Sequence, residues 1–233
     1  MDRPSRYDGL AEWYDEQVAA THGTTVVAET AVRLLGQPRG RLLDIGCGTG
    51  LLFSALVEAG WSVTGIDSSE DQLRVARRRA RELGVTVESG DAGKLPFSDR
   101  SFDAACLVRV LTDVDEPTAV LAEAARVVTA VGPVVIVTVH PCFVGPNVRA
   151  EPDSSRVVLP GYRETGWHST GPGFGEGIRS RVGARHVTLS ELLEALAAAR
   201  LHVEAAEEPG DEPIPVLFAM RARALPAGGR NLV

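Results

Sequence analysis

The run Asp44-Ile45-Gly46-Cys47-Gly48-Thr49-Gly50 concentrates the chemistry of this chain. Gly46, Gly48 and Gly50 permit a tight turn and a close approach of ligand to backbone, and a helix behind Gly50 offers unpaired N–H groups. A nucleoside ligand fits such a turn. A dinucleotide fingerprint wants a small residue at position 51, where this chain has Leu51, and its third glycine falls instead at Gly50. Asp44 would repel a diphosphate and suits a ligand bearing an ammonium group, which points to an amino-acid-bearing nucleoside. The spaced acids Asp67 and Asp91 support the same reading, although Asp67 taken alone also suits a helix N-terminus.

Proton-transfer candidates are sparser. His140 follows a strand at the carboxyl edge, where open α/β sheets bind ligands, and is placed to take a proton from a substrate hydroxyl or amine. Its competing role is a hydrogen-bonded structural histidine beside Pro141. His168 is a second candidate and His186 a weaker one, His22 enters only if the N-terminal helices cover the site, and His202 reads as exposed. Cys142 has no local triad partner, and Cys47, Cys106 and Cys142 lack both a disulfide framework and paired metal-ligand spacing, so no metal is expected.

These residues need a scaffold, and short apolar runs alternating with helical periodicity from residue 41 onward read as an α/β sheet with helices on both faces. Arg41 to Ile45 is a strand, the glycine turn follows, and Leu51, Leu52, Ala55 and Leu56 have helical spacing. Ser62 to Asp67 is a second strand. Ser68 is expected to cap the next helix, with Leu73, Ala76, Ala80 and Leu83 as its buried stripe. Strands are expected at Thr86 to Ser89, Phe102 to Val108 and Val134 to Val139, with a helix from Pro117 to about Val128. The segment 141–187 holds eight glycines and five prolines without a sustained period. It reads as an insertion that serves as a lid, anchored by Phe143, Tyr162, Trp167 and Phe174, since long loops in compact domains carry function. Thr188-Leu189-Ser190-Glu191 matches a capping box and opens an amphipathic helix. Strands near His202 to Ala206 and Val216 to Ala222 complete the sheet, residues 8–20 and 24–35 form helices outside it, and 226–233 is expected to fray. The arginines at 74, 77, 78, 79 and 81 read as a solvated helix face.

The chain of 233 residues carries a formal charge of −7, with 44% hydrophobic and 24% charged residues. That is one soluble domain, 1–233, with a helical cap at 1–36. The acidic balance argues against nucleic-acid partners, the polar N-terminus and the lack of a long apolar run argue against secretion and membrane spanning, and the unpaired cysteines suit a cytoplasmic setting.

The order of motifs resembles that of the class I S-adenosylmethionine-dependent methyltransferases, in particular the small-molecule branch related to ubiquinone and menaquinone methyltransferases, over roughly residues 7 to 140. The resemblance implies a Rossmann-like seven-stranded sheet in the order 3-2-1-4-5-7-6 with the seventh strand antiparallel. It implies S-adenosylmethionine as cofactor, with Asp44, Gly46, Cys47, Gly48 and Gly50 around its methionine part. Asp67, with Ser68 beside it, matches the carboxylate that binds both ribose hydroxyls, and Asp91 and Ala92 match the pair that reads adenine. Tyr14 resembles an N-terminal aromatic that closes over the cofactor, and also suits ordinary packing beside Trp13. After the fourth strand the family often has a polar pair; here Val108-Arg109 stand in that place, and Arg109 faces either the cofactor carboxylate or an acidic substrate. The implied reaction is in-line methyl transfer to an oxygen, nitrogen or carbon of a small molecule, with Tyr14, Phe143, Trp167 and His168 lining the acceptor pocket. A non-catalytic cofactor-binding partner subunit fits the glycine loop equally well, and a nicotinamide-dependent oxidoreductase is disfavoured by Leu51 and by the Asp91 motif.

Overall fold

The computed structural model describes residues 5–18 and 22–225, residue 22 by its backbone alone, and the tail at 226–233 lies outside them. Seven of its strands form one sheet: β1 (Arg41–Ile45), β2 (Ser62–Asp67), β3 (Thr86–Ser89), β4 (Ala104–Val108), β5 (Pro133–Val139), β6 (Leu201–Glu207) and β7 (Leu217–Ala224). They lie in the order β3-β2-β1-β4-β5-β7-β6. Pairing is parallel from β3 through β5, while β7 runs antiparallel to β5 and β6. The mostly parallel α/β sheet expected from the alternation is therefore present.

Alternate residues of the central strands feed two cores. Leu43 and Ile45 pack with Ile136 and Met220 against α5 (Pro117–Val127) and α7 (Leu189–Ala198). On the opposite face, Leu42 and Val135 meet α2 (His22–Leu35), α3 (Phe53–Glu58) and α4 (Glu70–Leu83). Each fully buried leucine contributes roughly 1.5–3 kcal/mol. A one-residue slip of β1 would drive the Asp44 carboxylate into the opposite core, so burial on both faces fixes the register.

Several boundaries differ from the sequence reading. Ser68 is exposed and does not cap α4; Ser69 does, its hydroxyl accepting from Gln72 N–H at 3.3 Å. The reason is local, because Asp67 Oδ1 accepts the Ser69 N–H at 2.9 Å and that turn carries the chain one residue further before the helix starts. Turns occupy the chain from 48 to 52, so α3 begins at Phe53, and Phe102 forms only an isolated bridge to Val128. The segment 141–187 has more order than its composition announces. Two short ribbons pair Val148–Ala150 with Arg156–Val158 and Gly166–His168 with Ala184–His186, and α6 (Ile178–Val182) precedes the last of these strands.

The basic face of α4 is half-exposed, yet it is not bare. Arg74 and Arg78 both reach Glu12 of α1 (Ala11–Val18), and Arg79 grips Asp15 with two bonds, at 2.9 and 2.8 Å. Ala11 is α1's fully buried residue, and Tyr14 packs edge-on against Tyr7, so these ion pairs orient a helix that has little apolar area of its own in the core. Among the described residues, no helix is long and apolar enough to cross a membrane.

Candidate functional site

The glycine loop is slung between β1 and β2. Gly46 and Cys47 N–H both donate to the Ile66 carbonyl, at 2.8 and 3.0 Å, and Gly48 N–H donates to Asp67 Oδ2 at 2.9 Å. Gly46 has φ 69°, and a Cβ there would stand 2.5 Å from Val110 Cγ2, so the turn admits only glycine.

Asp44 is 1% exposed. Its Oδ1 accepts the Cys106 thiol at 3.4 Å, while Oδ2 is sealed from solvent with no partner. Burial lifts its pKa to about 7, the Cys106 thiol opposes the rise and the Asp67 charge adds to it. Burial also raises Asp67, against the N–H groups of Ser69 and Gly48 that steady its charge. An uncompensated carboxylate of this kind calls for a cation.

The structure brings Tyr14, Asp44, Gly46, Cys47, Gly48, Val108 and Arg109 around a single cleft. Tyr14 meets Tyr7 edge-on at 5.7 Å; burial raises its phenol pKa, and neighbouring Arg109 pulls the other way. Arg109 sits at φ 59°, a conformation that costs a non-glycine residue about 1–2 kcal/mol. Its N–H is tied to the Val137 carbonyl at 2.7 Å, which aims the guanidinium into the cleft beside α2, 3.5 Å from the Gly23 carbonyl.

Gly50, Asp67, Ser68, Asp91 and Ala92 stand outside that lining. A Cβ on Gly50 would meet the Phe53 ring at 2.5 Å, Ser68 faces solvent, and Ala92 packs on the α5 core. Asp91 is exposed, its Oδ1 holding the Gly93 N–H at 2.8 Å. Even so, Asp44 lies in β1, Asp67 ends β2, and Asp91 follows β3 by two residues. Neighbouring strands stand ~4.8 Å apart, so three carboxylates step along the sheet's carboxyl edge at the scale of an extended nucleoside.

The candidate base His140 is buried and occupied at both ring nitrogens. Nδ1 accepts Cys142 N–H at 3.1 Å and Nε2 lies 2.8 Å from Glu208 Oε1, with Phe143 against the ring at 4.6 Å. Nε2 therefore carries the proton, and no lone pair is left for a substrate. His168 directs Nε2 to the Glu164 carbonyl at 2.8 Å, and Trp167 is covered by the Arg6 guanidinium at 3.5 Å. Neither of them, nor Phe143, lines this cleft or the cavity next to it. The His22 side chain lies outside the described residues.

A second cavity, of about 100 Å³, opens beside the segment 141–187. Leu111 and Thr112 after β4, Thr138 and Val139 of β5, and Phe174, Arg179, His186 and Leu192 from beyond enclose it. Beside it runs a half-buried network that joins three distant segments. Arg179 of α6 pairs with Asp113 and reaches Thr112 Oγ1 at 3.0 Å, while the Tyr7 hydroxyl donates to Asp113 Oδ1 at 3.0 Å. Burial disfavours the Arg179 charge, yet Asp113 and Tyr7 hold its pKa above the usual arginine value; burial and then Asp113 push Tyr7 well above an ordinary phenol. Sequence reasoning missed this network, because its partners stand 66 and 106 residues apart with no local pattern between them. Among the described residues, no cluster of three or more His, Cys, Asp or Glu is arranged to hold a metal ion.

Residues 43–136 match the family model of a methyltransferase domain. The chain is 39% identical over 107 residues to a demethylmenaquinone methyltransferase of Renibacterium salmoninarum, covering 46% of this chain and 44% of that protein. It is 37% identical over 137 residues to a phosphatidylethanolamine N-methyltransferase of Cereibacter sphaeroides, covering 56% and 64% respectively. It thus spans about half the length of the curated relatives it matches. Among solved structures it is similar to an S-adenosylmethionine-dependent methyltransferase from Mesorhizobium loti, with a TM-score of 0.70 and 26% identity over 84% of this chain and 97% of that one.

Proposed function

With residues 43–136 as a methyltransferase domain of the class I, S-adenosylmethionine-dependent kind, we propose that this chain methylates a small molecule at a nucleophilic oxygen, nitrogen or carbon. The observation that carries the reading is Asp44, whose buried Oδ2 lacks a partner in the cleft that Arg109 and Tyr14 also line. The ammonium of the cofactor's methionine part supplies the missing cation, and the Arg109 guanidinium is the group for its carboxylate. The Asp67 oxygens accept the Gly48 and Ser69 N–H groups and would offer their remaining acceptor capacity to the ribose hydroxyls. Asp91 and the Ala92 backbone, further along the edge, take the adenine.

The bound cofactor supplies an electrophilic methyl group; the protein's part is alignment and the exclusion of water. Within a single domain, 1–233, we assign Tyr14 and the 1–36 cap to covering the cofactor and the 141–187 insertion to covering the acceptor. The Tyr7–Asp113–Arg179 network supports this assignment, since it fastens both covers to the loop after β4. The net charge of −7 and the small-molecule names of the relatives support a small acceptor over a nucleic acid.

Calorimetric titration with S-adenosylhomocysteine, beside Asp67→Ala and a nicotinamide dinucleotide control, tests the reading. Micromolar binding that disappears in the variant is expected. Absence of binding to the folded protein, or preference for the dinucleotide, overturns it.

A further inference from the structure

Resting on the transferase reading above, we propose that His186 is the proton acceptor for a hydroxyl-bearing, otherwise apolar acceptor bound in the second cavity. The cavity is in the right place for this. Asp44 and Gly46 at the end of β1, with Val108 and Arg109 at the end of β4, line the cofactor cleft, whereas Leu111 and Thr112 after β4 and Thr138 and Val139 of β5 line the second cavity. β1, β4 and β5 are consecutive neighbours in the sheet, so the two spaces lie side by side along its carboxyl edge. The loop 108–112 borders both.

His186 is 3% exposed and lines this cavity. Its Nε2 lies 2.8 Å from the Tyr162 carbonyl oxygen, which only accepts, so Nε2 carries the hydrogen and Nδ1 keeps the lone pair. Among the hydrogen bonds of the described residues, none engages Nδ1. That nitrogen faces Gly145, where a Cβ would lie 3.2 Å from it, and the same Cβ would lie 3.4 Å from Asn147 Oδ1, a buried acceptor with no partner. A bare base and an idle carbonyl oxygen thus border one glycine in the cavity wall, and the latter suits the imidazolium formed by proton uptake. This arrangement reverses the ranking from sequence, in which His140 and His168 came first.

The remaining lining selects the acceptor. Leu111, Val139, Val144, Phe174 and Leu192 exclude a strongly hydrated molecule, and the Arg179 guanidinium in the same wall is already taken up by Asp113 and Thr112. The charged and titratable groups around His186 are Arg179, Arg185, Glu191, Tyr162 and His168. In the reaction the O–H bond breaks and its proton goes to Nδ1. The oxygen's electron pair forms the bond to the methyl carbon, the carbon–sulfur pair returns to sulfur, and the imidazolium passes its proton to water.

The test uses 4-nitrophenol, whose absorbance reports its own ionisation, on the full chain with and without S-adenosylhomocysteine. The variants are His186→Gln, which keeps an N–H for the Tyr162 carbonyl but removes the base, and Gly145→Ala, which crowds Nδ1. Imidazole ¹⁵N spectra are expected to show His186 with a bare Nδ1. The bound probe is expected to be at least tenfold more ionised on the wild-type protein than on His186→Gln, with Gly145→Ala weakening probe binding and S-adenosylhomocysteine affinity unchanged in both variants. A protonated Nδ1 at neutral pH, failure of the probe to bind the wild-type protein, or equal ionisation in wild type and His186→Gln overturns the proposal. Failure of S-adenosylhomocysteine to bind the wild-type protein is a different result, which sinks the transferase reading and leaves the probe data to judge the cavity alone.

Discussion

Replacing Asp44 with Asn should strengthen the fold while weakening the site. Burial lifts the Asp44 pKa from an ordinary 3.8 to about 7. A raised acid pKa means that the folded state binds the proton more tightly than the unfolded state, so the cost to stability is absent below pH 4, grows through the window between the two values, and is complete above pH 7. Each pH unit in that window costs about 1.4 kcal/mol, for a total of about 4 kcal/mol. The Asn side chain carries no such linkage. Its melting temperature relative to wild type should therefore climb between pH 4 and pH 7, reaching about 8 °C at roughly 2 °C per kcal/mol. Cofactor affinity should move the other way. An ammonium binds the ionised carboxylate, so S-adenosylhomocysteine affinity in the wild type should fall by up to about tenfold per pH unit below pH 7, and the loss of a charged hydrogen bond in the variant, about 1.5–3 kcal/mol, should weaken it at pH 8 by roughly 10- to 150-fold with no pH dependence. Thermal scans and calorimetry across pH 4 to 8 measure both trends. A stability difference between Asn and Asp that stays constant with pH, or unchanged affinity, would refute the account of Asp44 as a buried charge kept for its ligand.

Other expectations follow from the same geometry. Gly46→Ala, with φ 69° and a Cβ 2.5 Å from Val110 Cγ2, should cost about 1–3 kcal/mol in denaturant melts and abolish S-adenosylhomocysteine binding, and adding Val110→Ala should recover stability only in part because the backbone strain stays. Ser69→Ala should lower stability by about 1 kcal/mol through the lost cap, while Ser68→Ala should stay within about 0.5 kcal/mol in the same melts; equal effects would contradict the assigned cap. Arg79 ties Asp15 of α1 to the Thr49 carbonyl of the glycine loop, so Arg79→Ala should speed hydrogen exchange in α1 and weaken S-adenosylhomocysteine binding more than Glu12→Gln does. Arg179→Ala should raise exchange in 5–14 and 178–186 together, and an increase confined to one of these segments would show that the network does not couple them.

Local pattern determined a good deal of this protein. The alternation of apolar runs with helical periodicity required a sheet covered on both faces, because strands such as β1 bury Leu42, Leu43 and Ile45 completely and need cover on each side. The glycine loop and the capping box at Thr188 were legible for the same reason: each works through neighbours a few residues away, as Thr188 does with Glu191 N–H at 3.2 Å. The Ser68 cap failed by one residue, since the deciding bond comes from Asp67 and depends on how β2 ends. Tertiary structure alone decided the rest. Whether a histidine is a base depends on what its two nitrogens touch, and His140 meets Glu208 while His186 meets Tyr162, partners 68 and 24 residues away that no periodicity marks. The arginines of α4 carried no signal that α1 would lie on them, and Arg179 in a glycine-rich segment carried none for Asp113. Sequence fixes which groups are present and the short-range bonds they make; only the closed packing of distant segments sets which of those groups loses water, and with it which charge is left in need of a ligand.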